Sequence, residues 1–105
     1  MDAVTALSGS GPAFFAYFTE AMIEGAVRMG LSKDDATTLA VQTLLGTARL
    51  LDTGMSPSNL REMVTSPKGT TAAGLKTLEE GGLKEIIMAA IASATERAKE
   101  LGRKE

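Results

Sequence analysis

Apolar residues return along this chain at steps of three and four, interrupted by glycine, proline and short hydroxyl-rich stretches, a rhythm that predicts helices joined by tight turns. Met1 to Gly11 reads as a short lead-in whose end, Ser8-Gly9-Ser10-Gly11, serves as a flexible entry and N-cap. Ser8-Gly9-Ser10-Gly11-Pro12 then combines a capping serine with a proline near the first helical position. From Ala13 to Met29 the polar residues Glu20, Glu24 and Arg28 form one narrow stripe, while Phe14, Phe15, Phe18, Met22, Ile23 and Val27 take most of the remaining surface. Gly30 ends this helix. Ser32, with Asp35 three residues on, resembles a capping box and opens a second helix to about Asp52, with Leu39, Ala40, Leu44, Thr47 and Leu51 on its inner face.

Gly54 supplies the next stop, and Ser56-Pro57 restarts the chain for a short third helix marked by Leu60, Met63 and Val64. Pro67 limits that helix, because the residue before a proline is pushed out of the α region. A fourth helix begins at Thr70 or Thr71, carries Leu75 and Leu78 inward and stops at Gly81-Gly82. In the fifth, Ile87, Ile91, Ala94, Ala98 and Leu101 form a seam suited to packing on another helix, with Lys84, Glu85, Glu96, Arg97 and Lys99 left in water. No strand-like alternation, internal repeat or low-complexity segment interrupts this reading. The expected fold is all-α, a bundle of about five helices.

With 105 residues the chain reads as one helical domain, residues 1–105, too short for a nucleotide-binding sheet as well. A net charge of −2, from 11 basic and 13 acidic residues, gives no basic face, so neither nucleic acid nor an anionic membrane is expected as partner. No run approaches the roughly 18 apolar residues of a membrane span and no signal peptide is apparent, so a soluble, cytoplasmic protein is expected. There is no Cys and no His, which leaves hydroxyls, carboxylates, Lys, Arg and backbone for any chemistry and offers no usual transition-metal site. Three Phe and one Tyr mean that Leu, Ile, Val, Ala and Met build the core.

The apolar breadth of the first helix bears on assembly. Fully burying a Phe, Ile or Met contributes about 1.5–3 kcal/mol relative to exposure. Leaving three of them wet consumes much of a small domain's margin of about 5–15 kcal/mol. A dimer in which the first and last helices pack against a partner meets this need; the alternative is a monomer with the first helix at its centre.

Val64-Thr65-Ser66-Pro67-Lys68-Gly69-Thr70-Thr71-Ala72-Ala73-Gly74 is the candidate site. Pro67 restricts the turn, Gly69 lets the backbone approach a ligand, and Thr70 or Thr71 caps the following helix, whose first amides lack intrahelical acceptors and suit a small anion. Ser66 and Thr71 add hydroxyls. The same pattern also describes an ordinary helix start facing solvent. Ser8-Gly9-Ser10-Gly11 follows no strand and lacks both the last glycine of the dinucleotide fingerprint and a P-loop lysine. Asp34-Asp35 and Glu79-Glu80 are adjacent pairs that diverge on a helix, so neither forms a catalytic dyad or a metal site.

Together, Asp2-Ala3-Val4-Thr5-Ala6-Leu7-Ser8-Gly9-Ser10-Gly11-Pro12-Ala13-Phe14, Gly30-Leu31, the stretch from Val64 to Leu75 and the later Leu-Glu-Glu-Gly-Gly resemble the C-terminal domain of pyrroline-5-carboxylate reductase over essentially the full chain. The resemblance implies an all-helical domain that interlocks into a homodimer. It belongs to an enzyme that reduces 1-pyrroline-5-carboxylate to L-proline with NADPH or NADH held by a separate N-terminal domain. It further implies that Ser66, Gly69, Thr70 and Thr71 bind the substrate carboxylate, weakly if at all in this fragment, and that Thr71 also lies near the ring nitrogen as the catalytic hydroxyl. Two departures stand out. The family commonly has glycine where Lys68 stands, and the dinucleotide fingerprint is absent, so this stretch is expected to bind no cofactor and to be inactive alone. Met1 just before the family's interdomain junction reads as a truncation. The alternative function is a purely structural helical assembly module.

Overall fold

The computed structural model describes residues 1–103, and among these every regular element is helical. In chain order they are α1 (Asp2–Val4), a π-helical segment (Thr5–Gly9), α2 (Gly11–Arg28), α3 (Lys33–Asp52), α4 (Pro57–Met63), α5 (Thr70–Glu80) and α6 (Leu83–Arg103). The five helices from α2 to α6 are those the apolar spacing predicts.

Local chemistry explains most boundaries. Ser32 and Ser56 take extended backbone and accept hydrogen bonds from the amides of Asp35 and Asn59, each at 3.1 Å, which caps α3 and α4 with one side chain apiece. Pro57 occupies the first turn of α4, where its missing N–H removes no helical bond. At the end of α2, Gly30 takes φ +114°, and the Leu31 amide reaches back to the Ala26 carbonyl at 3.1 Å, the six-to-one bond of a Schellman close.

The lead-in is a correction to the sequence reading. The lead-in is helical, and Ser8-Gly9-Ser10-Gly11 is not a flexible entry: the Thr5 amide bonds to the Met1 carbonyl at 2.9 Å and the Ser10 amide to the Thr5 carbonyl at 3.0 Å, a five-residue step. Ser10 therefore has helical angles, φ −88° and ψ −25°, and does not cap α2 with its side chain; its carbonyl receives the Ala13 and Phe14 amides instead. The extra residue in the π turn lets helical hydrogen bonding continue through Ser8-Gly9-Ser10, residues that otherwise punctuate a chain.

Two compact units emerge. One comprises Met1–Phe14 and the chain from Pro67 onward; the other is Phe15–Ser66. In the first, α6 packs against α1, the π segment and α5, and Ala6 is completely buried. Of the seam read on α6, Ile91, Ala94 and Ala98 are half-buried, while Ile87 and Leu101 stay 47 % and 50 % exposed, so the chain itself covers only the middle of that seam. In the second unit α3 packs on α4, with Ala36 and Leu60 buried.

That core is small. Ala6, Ala36 and Leu60 are the buried apolar residues among those described, while α2 leaves Phe15 62 % and Met22 46 % exposed and α6 leaves Ile86 63 % and Met88 61 % exposed. The first helix is therefore not enclosed by its own chain, against the alternative of a monomer built around it. Its apolar faces are open to a further surface.

Candidate functional site

α4 ends at Met63, and the Thr65 hydroxyl turns back to bond the Arg61 carbonyl. Ser66, exposed, is the last residue of the second unit. The rest of the candidate turn, Pro67 to Thr71, lies in the first unit and leads directly into α5.

Gly69, not Thr70 or Thr71, is the N-cap of α5. Its backbone is extended, with φ −85° and ψ 179°, and no side chain caps the helix. This corrects the expected threonine cap: Thr70 and Thr71 already have helical backbone, and a residue inside the first turn cannot bond its own leading amides as an N-cap does. Glycine is an accepted N-cap, and the Gly-Thr-Thr order carries that signal, though a hydroxyl residue is the commoner choice. The consequence is chemical. The Ala73 amide reaches the Gly69 carbonyl at 3.2 Å, whereas the amides of Thr70, Thr71 and Ala72 precede the first intrahelical acceptor.

The hydroxyls follow the same logic. Deeper in their helices Thr37, Thr43, Thr47 and Thr95 each donate to the carbonyl four residues earlier, at 2.7–2.8 Å. Thr70 and Thr71 have no helical carbonyl behind them, and among the described residues neither they nor Ser66 make a side-chain hydrogen bond. Thr71 is half-buried and Thr70 exposed. The uncommitted amides and the Thr70 and Thr71 hydroxyls thus all belong to the first turn of α5, at the positive end of its dipole.

Lys68 is the conformational outlier. At φ +64° it is the one non-glycine residue with positive φ among those described, while Gly30, Gly54 and Gly82 hold the others. A proline followed by a left-handed residue has the order of a type II turn, whose third position normally asks for glycine. A side chain there costs about 1–2 kcal/mol in backbone strain. Lys68→Gly removes that strain but gives the unfolded chain more freedom, worth roughly 0.5–1 kcal/mol, so a net stabilisation of up to about 1.5 kcal/mol is expected. Lys68→Val should lie below the parent, since a β-branched residue tolerates this region worst. Urea midpoints of the two variants against the parent check the ranking; Gly below Val would contradict the turn geometry.

The acidic pairs stay apart from this turn in role. Asp34 and Asp35 sit in the first turn of α3, where the Asp35 amide serves the Ser32 cap, and Glu79 and Glu80 close α5.

An all-α chain that leaves broad apolar helix faces open has the character of an assembly domain. Residues 1–101 match the family described as pyrroline-5-carboxylate reductase dimerisation, and the chain belongs to that family. It is 55 % identical over 105 residues to pyrroline-5-carboxylate reductase of Methanosarcina acetivorans, covering 99 % of this chain and 39 % of that protein. The chain thus spans about two fifths of the length of the curated relatives it matches. Among solved structures, Plasmodium falciparum pyrroline carboxylate reductase with NADP bound superposes with a TM-score of 0.91 at 37 % identity, covering 97 % of this chain and 42 % of that one. The Coxiella burnetii pyrroline-5-carboxylate reductase also gives 0.91, at 48 % identity, over 95 % and 37 % of the two chains. No helix among the described residues is long and apolar enough to cross a membrane.

Proposed function

We propose that this chain, as one domain, is the homodimerising and substrate-carboxylate-binding portion of a reductase that converts 1-pyrroline-5-carboxylate to L-proline with NADPH or NADH. Ser66, Gly69, Thr70 and Thr71 hold the carboxylate, and Thr71 also steadies the ring nitrogen as its positive charge is lost. The observation that carries this reading is the uncapped first turn of α5, with the Thr70 and Thr71 hydroxyls unspent. Family membership identifies the anion such a turn would receive. Fixing the carboxylate fixes the ring, which is the main demand of a transfer that needs aligned reactants more than a nucleophile.

The dinucleotide does not fit these residues. The regular elements among the described residues are all helical and provide no strand followed by a glycine turn and helix, so these residues do not hold it. The chain alone is accordingly inactive in this reading. Its affinity for the product is weak, roughly millimolar or poorer, because a small anion on a half-open surface stays hydrated.

Titration of 15N-labelled chain with L-proline tests the site. Shifts confined to the amides from Gly69 to Ala72, and lost in Thr71→Ala, are the expected result. Silence throughout would favour the second reading, an assembly module without ligand binding, which the wide exposure of α2 and α6 supports by itself. Imine-dependent NADPH oxidation by the chain alone would contradict both.

A further inference from the structure

In the turn that leads into α5, local preference and observed backbone disagree. Ser66-Pro67-Lys68-Gly69 has the residues of a type I turn, with serine first, proline second and glycine fourth. Type I would hold Lys68 at a φ of about −90°, where lysine is unstrained. The structure instead holds Lys68 at φ +64°. Because the Pro67 ring fixes a negative φ just before it, this is the type II arrangement, which asks for glycine or asparagine in the third position. Elsewhere among the described residues positive φ falls to glycine, at Gly30, Gly54 and Gly82.

No side-chain contact holds Lys68 in this state. It is exposed, and among the described residues its ammonium makes neither an ion pair nor a hydrogen bond. The left-handed backbone is disfavoured for such a residue by a factor of about 5–30 in population. The two turn types differ by close to a half-rotation of the Pro67–Lys68 peptide, which exchanges the directions of the Pro67 carbonyl and the Lys68 amide. That peptide lies just ahead of the uncommitted amides of Thr70, Thr71 and Ala72. A side of the turn that offers a donor in one state offers a carbonyl in the other, so an anion binds the two unequally.

We propose that Lys68 is a positioning residue acting through its backbone: the Pro67–Lys68 peptide flips between the type II state seen here and a type I state, and a bound carboxylate selects type II. Lysine keeps the type I state populated and so lowers the affinity of the turn, since an apparent dissociation constant rises as the competent fraction falls. This rests on the carboxylate reading above and adds what sets its strength.

Lys68→Gly, Lys68→Asn and Lys68→Val chains, 15N-labelled, are titrated with L-proline beside the parent, and the amide signals of Thr70, Thr71 and Ala72 give the dissociation constants. Glycine and asparagine accept positive φ, so those two chains should bind about threefold or more tighter than the parent although both lose a positive charge. Lys68→Val should bind about threefold or more weaker, because a β-branched residue resists the type II state most. Equal constants in all four chains overturn the positioning role and leave the carboxylate site standing, even where urea midpoints still differ. Tightest binding by the parent overturns it as well, since Lys68 would then act by its charge. No response to L-proline in any chain overturns the carboxylate reading and this one with it. Should Lys68→Val fail to fold, the glycine and asparagine chains against the parent decide.

Discussion

Replacing Ile91 with Asp is expected to unfold the packing of α6 on its own chain, at a cost of about 3 kcal/mol, and not simply to separate two copies. The sequence alone puts Ile91 on a seam that could face either kind of neighbour. In the structure α6 touches α1, the π segment and α5, and Ile91, Ala94 and Ala98 are half-buried in that setting. A carboxylate at residue 91 would lose water without gaining a cation on its own helix, since the residues one turn away, Ile87, Met88, Ala94 and Thr95, are uncharged. The urea midpoint should fall accordingly. Ile86→Asp is the contrast, because Ile86 is 63 % exposed within the chain and its substitution spares this internal packing. A chain carrying Ile91→Asp that sediments as a monomer with full helical circular dichroism would place Ile91 between copies instead.

What the sequence made legible divides along physical lines. Caps and stops are local chemistry, so Ser32, Ser56, Pro57 and Gly30 announce their helix boundaries to within a residue. The apolar faces of α2 and α6 were equally plain, but a face does not state its partner: Ile91 is half-buried within its own chain, whereas Ile87 and Leu101 of the same seam, and Phe15 on α2, stay open. Two features were hidden because the residues involved favour something else. Ser8-Gly9-Ser10 has the composition of a turn, yet the π segment carries helical bonding through it and buries Ala6 against α6. Lys68 gives no sign of a left-handed backbone, which lysine ordinarily avoids; only the proline before it and the glycine after it mark the bend. At the candidate site the donor-rich helix start was legible, and the identity of the capping residue was not, since Gly69 and Thr70 both satisfy the rules for an N-cap.

Thermal unfolding should depend on chain concentration. Within one copy the buried apolar residues are Ala6, Ala36 and Leu60 among those described, two of them alanines that contribute little area, while Phe15, Tyr17, Met29, Ile86 and Met88 each leave more than 60 % of their surface in water. Burial of large side chains is the main favourable term in folding, at about 1.5–3 kcal/mol each, and it must offset a conformational entropy cost of roughly 1–2 kcal/mol for every residue ordered. A single copy has too little of the first to meet the second, so the missing burial has to come from association, and the folded state then carries the concentration dependence of a bimolecular equilibrium. A hundredfold rise in concentration adds about 2.7 kcal/mol, which for an assembly of this size raises the midpoint by about 5–10 °C. Scanning calorimetry from micromolar to near-millimolar chain reads that shift. A midpoint that stays constant over the range would mean the copy is stable by itself, and the open faces of α2 and α6 would then need an explanation other than self-association.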